Sequence, residues 1–110
     1  MLTAVPLDGS ARAAAVRDSL AADDPARREW PLHGIAADIT ASAWRVEVPV
    51  LVLAGEHDQV EPANVLRGHL LPHLSHAILD VLPGCGHLLP LEAPAEVAAR
   101  LESFLADLDT

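Results

Sequence analysis

Two short loops hold most of the residues able to do chemistry. One is "GEHDQVEP", Gly55 to Pro62, with Glu56, His57 and Asp58 in a row. The other is "PGCGHLLP", Pro83 to Pro90, with Cys85 and His87. A carboxylate set against an imidazole fixes the ring's tautomer and stabilises the imidazolium formed when the ring takes a proton. Asp58 and His87 are therefore a candidate acid–base pair. Cys85 suggests a thiol nucleophile instead, but a nucleophile needs a base within hydrogen-bond reach and an oxyanion site. Two positions from the histidine that geometry is rarely available, so Cys85 reads as a small packing residue. Glu56 and His57 read as solvated turn residues.

His69, His73 and His76 form a third group. His69 and His73 are spaced to bind zinc from one helix face. Pro72 lies between them and disturbs the helix end, no cysteine is near, and no fourth ligand can be assigned. A solvated helix end is the preferred reading, and no metal is expected. Asp23-Asp24 and Asp107 with Asp109 read as solvated acids.

The two loops need elements to bring them together. "VPVLVLAG", Val48 to Gly55, is a continuous aliphatic run of strand length, suited to a parallel strand covered on both faces. "EPANVLRGHLLPHL" follows with Val65, Leu66 and Leu70 at helical spacing. "HAILDVLPG" is a second aliphatic run. "APAEVAARLESFLADL" is the clearest helix, with Pro94 in its first turn and Val97, Leu101, Phe104, Leu105 and Leu108 on one stripe. Strand, helix, strand, helix is a parallel crossover unit. In open α/β sheets functional groups collect at the carboxyl ends of the strands, where both loops lie. Adjacent parallel strands would set Asp58 beside His87.

Upstream the chain is alanine-rich and helical. Ser10 is the expected cap of a helix carrying Ala13, Val16 and Leu20, ended by Asp24-Pro25. Pro25 is expected to open a short turn, "PARREW", capped by Asp24. Pro31 and Gly34 punctuate next, and "IAADITASAW" reads as a short helix. Two strands alone make a marginal sheet, so either the domain is unusually small or it is part of a larger sheet.

Composition narrows the function. The 110 residues fit one domain, and 51% are apolar, enough to bury a core. Sixteen acids against seven bases give a net charge of -9, which repels nucleic-acid phosphates and anionic membranes. One cysteine excludes an internal disulfide. No targeting signal and no membrane-length apolar run is visible, so a cytoplasmic protein is expected.

"VPVLVLAGEHDQVEP", followed by "AILDVLPGCGHLLPLEAPAEVAARLESFL", resembles the C-terminal portion of an α/β-hydrolase-fold enzyme. In that family a strand ends in a Gly-x-x-Asp turn that delivers the acid. A later Gly-His step delivers the base, and an amphipathic helix follows. Asp58 matches the acid position and His87 the base, in the order nucleophile, acid, histidine. The likeness covers residues 46 to 108. The fold expected is therefore α/β, with residues 46–110 as the hydrolase segment and residues 1–45 as a helical lid remnant.

No Gly-x-Ser-x-Gly elbow occurs: Ser10, Ser19, Ser42, Ser75 and Ser103 lack the flanking glycines. "LHG" at Leu32 to Gly34 echoes the family's oxyanion motif, but no strand precedes it. The resemblance implies hydrolysis of an ester, amide or similar bond in a small organic substrate, without a cofactor. It places the nucleophile outside this chain and makes the isolated chain inactive. The competing expectation is a non-catalytic relative that binds a partner or itself through an exposed sheet edge.

Overall fold

The structure is a computed structural model that describes residues 2–109. Its centre is a two-stranded parallel sheet, β1 (Val50–Gly55) beside β2 (Ala77–Leu82). Val50 pairs with Ala77 and Gly55 with Leu82, so the strands run in step and end together. β1 starts later than the aliphatic run suggests. Pro49 has no N–H to give a ladder, and the first bond is Val50 N–H to the carbonyl of His76, at 2.9 Å.

Between the strands lie α4 (Ala63–His69) and a 3₁₀ turn, Leu71–His73. Pro72 sits inside that turn and the α-helix stops short of it. After β2 come a four-residue helix, α5 (Leu89–Glu92), and the long α6 (Pro94–Leu108), with Pro94 in its first turn. The strand–helix–strand–helix order is the one expected. α5 is not. It is a single turn with Pro90 inside it and Pro94 just after, too short to show a periodicity.

The core is small. Leu82, Cys85 and Leu89 are buried together, with Leu53, Ala93 and Val97 packed on them. Burial is deepest where the strands end, at Ala54, Gly55 and Leu82. The double coverage expected of β1 is only partial: Val50 to Leu53 are half-buried, because the sheet has two strands and few helices to roof it. On α6, Val97 faces the core, while Leu101, Leu105 and Leu108 stay exposed. Arg100 of α6 pairs with Asp80 of β2, tying the helix to the sheet. Leu82 is 1% exposed, so Leu82→Ala is expected to cost about 3 kcal/mol through lost burial and a cavity. A lowered urea midpoint would show it.

The upstream segment differs from expectation in four places. α1 (Gly9–Ala21) is capped by Asp8, not Ser10: Asp8 Oδ1 accepts the Ala11 N–H at 2.7 Å. Its apolar residues Val16 and Leu20 are exposed. α2 (Asp24–Leu32) has Asp23 in the cap position, and Asp24 instead pairs with Arg27. α2 also runs through Pro31, whose missing N–H removes only one late backbone bond. The helix expected over Ile35 to Trp44 is split into a 3₁₀ turn, Gly34–Ala36, and α3 (Thr40–Ala43). Asp38 divides them, because its side chain captures the Thr40 N–H at 2.9 Å and so competes with a continuous helix.

The radius of gyration is 15.8 Å, against about 13 Å for a compact chain of this size. Apolar side chains left in solvent include Trp30, Ile39, Trp44 and Ile78. Among the described residues no helix is long and apolar enough to cross a membrane.

Candidate active site

The parallel register delivers two loops to one end of the sheet. His57 N–H bonds to the carbonyl of Cys85 at 2.8 Å, and Glu56 N–H to that of Leu82 at 3.0 Å. The Glu56 carboxylate accepts the Gly84 N–H at 2.8 Å. Sequence alone makes Glu56 a solvated turn residue. It is exposed, yet it bridges the two loops. Gly84 has φ +73°, the left-handed conformation that turns the chain after β2.

These bonds bring Asp58 and His87 together. Asp58 Oδ2 lies 2.9 Å from His87 Nδ1. Its Oδ1 accepts the N–H groups of Val60 at 2.8 Å and Glu61 at 2.9 Å. One oxygen thus builds the turn and the other holds the ring. The Asp58 side chain is 6% exposed and that of His87 33%. Burial pushes the Asp58 carboxyl up. The Glu61 N–H, His87 and the Val60 N–H outweigh burial and hold it below its ordinary value. Asp58 is then a carboxylate at neutral pH and can only accept. The proton of a neutral His87 ring therefore sits on Nδ1, which leaves Nε2 as the basic nitrogen.

The other sequence candidates stand apart from this pair. Cys85 is 6% exposed, packed with Leu82 and Leu89. Burial, then the charges of Glu92 and Glu96, push its thiol up, away from the thiolate a nucleophile needs. Among the described residues no three His, Cys, Asp or Glu side chains are placed to hold a metal ion. His69, His73 and His76 are exposed. His33 of "LHG" bonds to Glu29 on its own helix. The five serines are exposed, and Ser19 bonds back to Ala15. A cavity of about 610 Å³ opens between α3 and α4, but neither Asp58 nor His87 lines it.

Sequence reasoning missed Glu92. Its Oε1 accepts the N–H groups of Ala4 at 2.7 Å, Gly86 at 2.9 Å and Val5 at 3.2 Å. Its Oε2 accepts the Leu88 N–H at 3.1 Å. Burial raises this carboxyl, but the four backbone donors outweigh burial and lower it from its ordinary value of 4.5. The only signal in the sequence is a glutamate four residues after Leu88, able to cap the turn it ends.

A carboxyl depressed by folding stabilises the fold above its unfolded value, and that stability is lost as pH falls through the folded value. Glu92→Gln is therefore expected to cost about 2 kcal/mol at neutral pH. The gap from wild type should close on acidification below 4.5. Urea unfolding at neutral and at acid pH measures both. A gap that does not change with pH contradicts the assignment.

No family model matches the sequence, and no curated protein matches it. Solved structures do. A thermophilic esterase from Thermogutta terrifontis is 27% identical over 66% of this chain, with a TM-score of 0.61. A serine hydrolase involved in carbazole degradation, the CarC enzyme, is 29% identical over 63% of it, at 0.57. A membrane phospholipase A described as a bacterial virulence factor covers 72% at 0.64, and its 24% identity bears on the fold alone. The chain spans about a quarter of each: 26%, 26% and 25% of their lengths. All three are α/β-hydrolase enzymes. This chain carries the strand–helix–strand–helix part of the α/β-hydrolase fold.

Proposed function

We propose that Asp58 and His87 are the acid and base of a hydrolase that cleaves an ester, amide or similar bond in a small organic substrate. The nucleophile lies outside this chain. The observation that carries the reading is the 2.9 Å contact between His87 Nδ1 and a nearly buried Asp58 carboxylate, at the ends of adjacent parallel strands. The esterase and serine-hydrolase neighbours support it.

The chemistry follows from which nitrogen is left basic by the Asp58 contact at Nδ1. Nε2 takes the proton of a nucleophile hydroxyl as its oxygen attacks the carbonyl carbon. The ring becomes an imidazolium, stabilised by Asp58 at Nδ1. Nε2–H then protonates the leaving group as its bond breaks. A water, deprotonated by the same nitrogen, releases the acyl group and regenerates the hydroxyl. Residues 1–45 serve as the remnant of a lid over this site, and the protein acts in the cytoplasm. Hydrolysis of p-nitrophenyl esters tests the function. The isolated chain is expected to give no turnover. Joined to a polypeptide that supplies the nucleophile-bearing part of the fold, it should turn over and lose activity in His87→Ala. Activity that survives His87→Ala in the joined form refutes the proposal.

A second reading has its own observation. Among the described residues each strand has one unpaired edge, and Ile78 on β2 is 58% exposed. Such edges recruit further strands, so the isolated chain would serve as a binding or self-association module. Sedimentation decides: a stably folded monomer removes this reading.

A further inference from the structure

The three consecutive backbone N–H groups around His87 are all held, and all three lead to one side chain. Gly86 N–H goes to Glu92 Oε1 and Leu88 N–H to Glu92 Oε2, so a single carboxylate grips the backbone on both sides of the histidine. His87 N–H goes to the carbonyl of Leu2 at 2.8 Å. The segment that supplies this carbonyl is itself gripped by Glu92, through Ala4 and Val5. The fit is close. A Cβ on Gly86 would stand 2.7 Å from Ala4 N and 3.0 Å from Leu2 O.

We infer that Glu92 is a positioning residue for His87: it fastens the N-terminal segment to the histidine loop, and this clasp sets the imidazole against Asp58. The inference rests on the acid–base reading of that pair. The ring is half-exposed, and Asp58 tethers it at Nδ1. A backbone free to rock would let the ring swing off that tether, because the loop has glycines on both sides of Cys85. The charge of Glu92 matters as well as its reach. An ionised carboxylate accepts with both oxygens, whereas an amide accepts with one and repels a facing N–H with the other.

Long-range ¹H–¹⁵N spectra of the full 110-residue chain, with His87 neutral, test this without substrate or nucleophile. Wild type should show a single Nδ1–H tautomer, lost in Asp58→Asn. Glu92→Gln should give mixed tautomers. Leu89→Ala, which weakens the core and leaves the clasp intact, should keep the Nδ1–H form. Should Glu92→Gln not fold, Ala4→Pro removes one donor from an exposed segment and should shift the ring the same way. Unchanged tautomers in Glu92→Gln, or in Ala4→Pro where that variant stands in, overturn the inference and leave the pair standing. So does equal loss in Leu89→Ala, which would make the role merely structural. Absence of the Nδ1–H form in wild type overturns the pair and the inference together.

Discussion

Asp58→Asn is expected to lower kcat about 10⁴-fold, with KM little changed, in a polypeptide that joins this chain to the proposed nucleophile. The substitution is a clean one here. The new amide would keep an oxygen where Oδ1 accepts from Val60 and Glu61, so the turn survives. Only the atom facing His87 changes, from an acceptor to an N–H₂ donor. The ring then turns its lone pair to Nδ1 and its proton to Nε2. A base with its proton already on the working nitrogen cannot take one from a hydroxyl. The thermal melt should move little while the rate collapses. Initial rates on a p-nitrophenyl ester measure the effect, and a rate within tenfold of wild type would contradict the assigned tautomer.

Gly55→Ala should destabilise the fold and disturb the site together. Gly55 ends β1, where the strand meets the histidine loop with no room for a side chain. A Cβ there would stand 2.1 Å from the carbonyl oxygen of Gly86 and 2.5 Å from that of Cys85. Both obstacles are backbone, so neither can rotate away. The loop must lift, which strains the His57-to-Cys85 bond and draws His87 off Asp58. Overpacking of this kind costs about 3 kcal/mol, a large share of what so small a core supplies. Gly68→Ala is the matched control. Gly68 lies within α4 with nothing within 4 Å of its would-be Cβ, so alanine should stabilise by up to about 1 kcal/mol. Urea unfolding of the two variants should move in opposite directions.

What the sequence made legible follows from how local each signal is. Asp58 and His87 could be paired because each follows an aliphatic run that reads as a strand, and parallel strands align their ends. Asp58 serves twice in the structure, one oxygen building its turn and the other holding the ring. The division at Asp38 and the Asp8 cap escape sequence reasoning for a different reason. Ser, Asp and Asn compete for the same backbone donors, and sequence alone does not rank them. Glu92 is out of reach altogether. Its bonds to Ala4 and Val5 span 88 and 87 positions, and no periodicity carries information over that distance. Uncovered apolar stripes on α1 and α6 cannot be told from buried ones, since periodicity shows that a face is apolar and not what covers it.

In the proposed function this chain holds the acid and base of a hydrolase and no nucleophile of its own. Stoichiometric labelling by a fluorophosphonate, located by mass spectrometry, tests it most directly. No serine of the isolated chain should be labelled. In the joined polypeptide one label is expected, outside these 110 residues, and its rate should fall when His87 is replaced by alanine. A label at Ser10, Ser19, Ser42, Ser75 or Ser103 would contradict it.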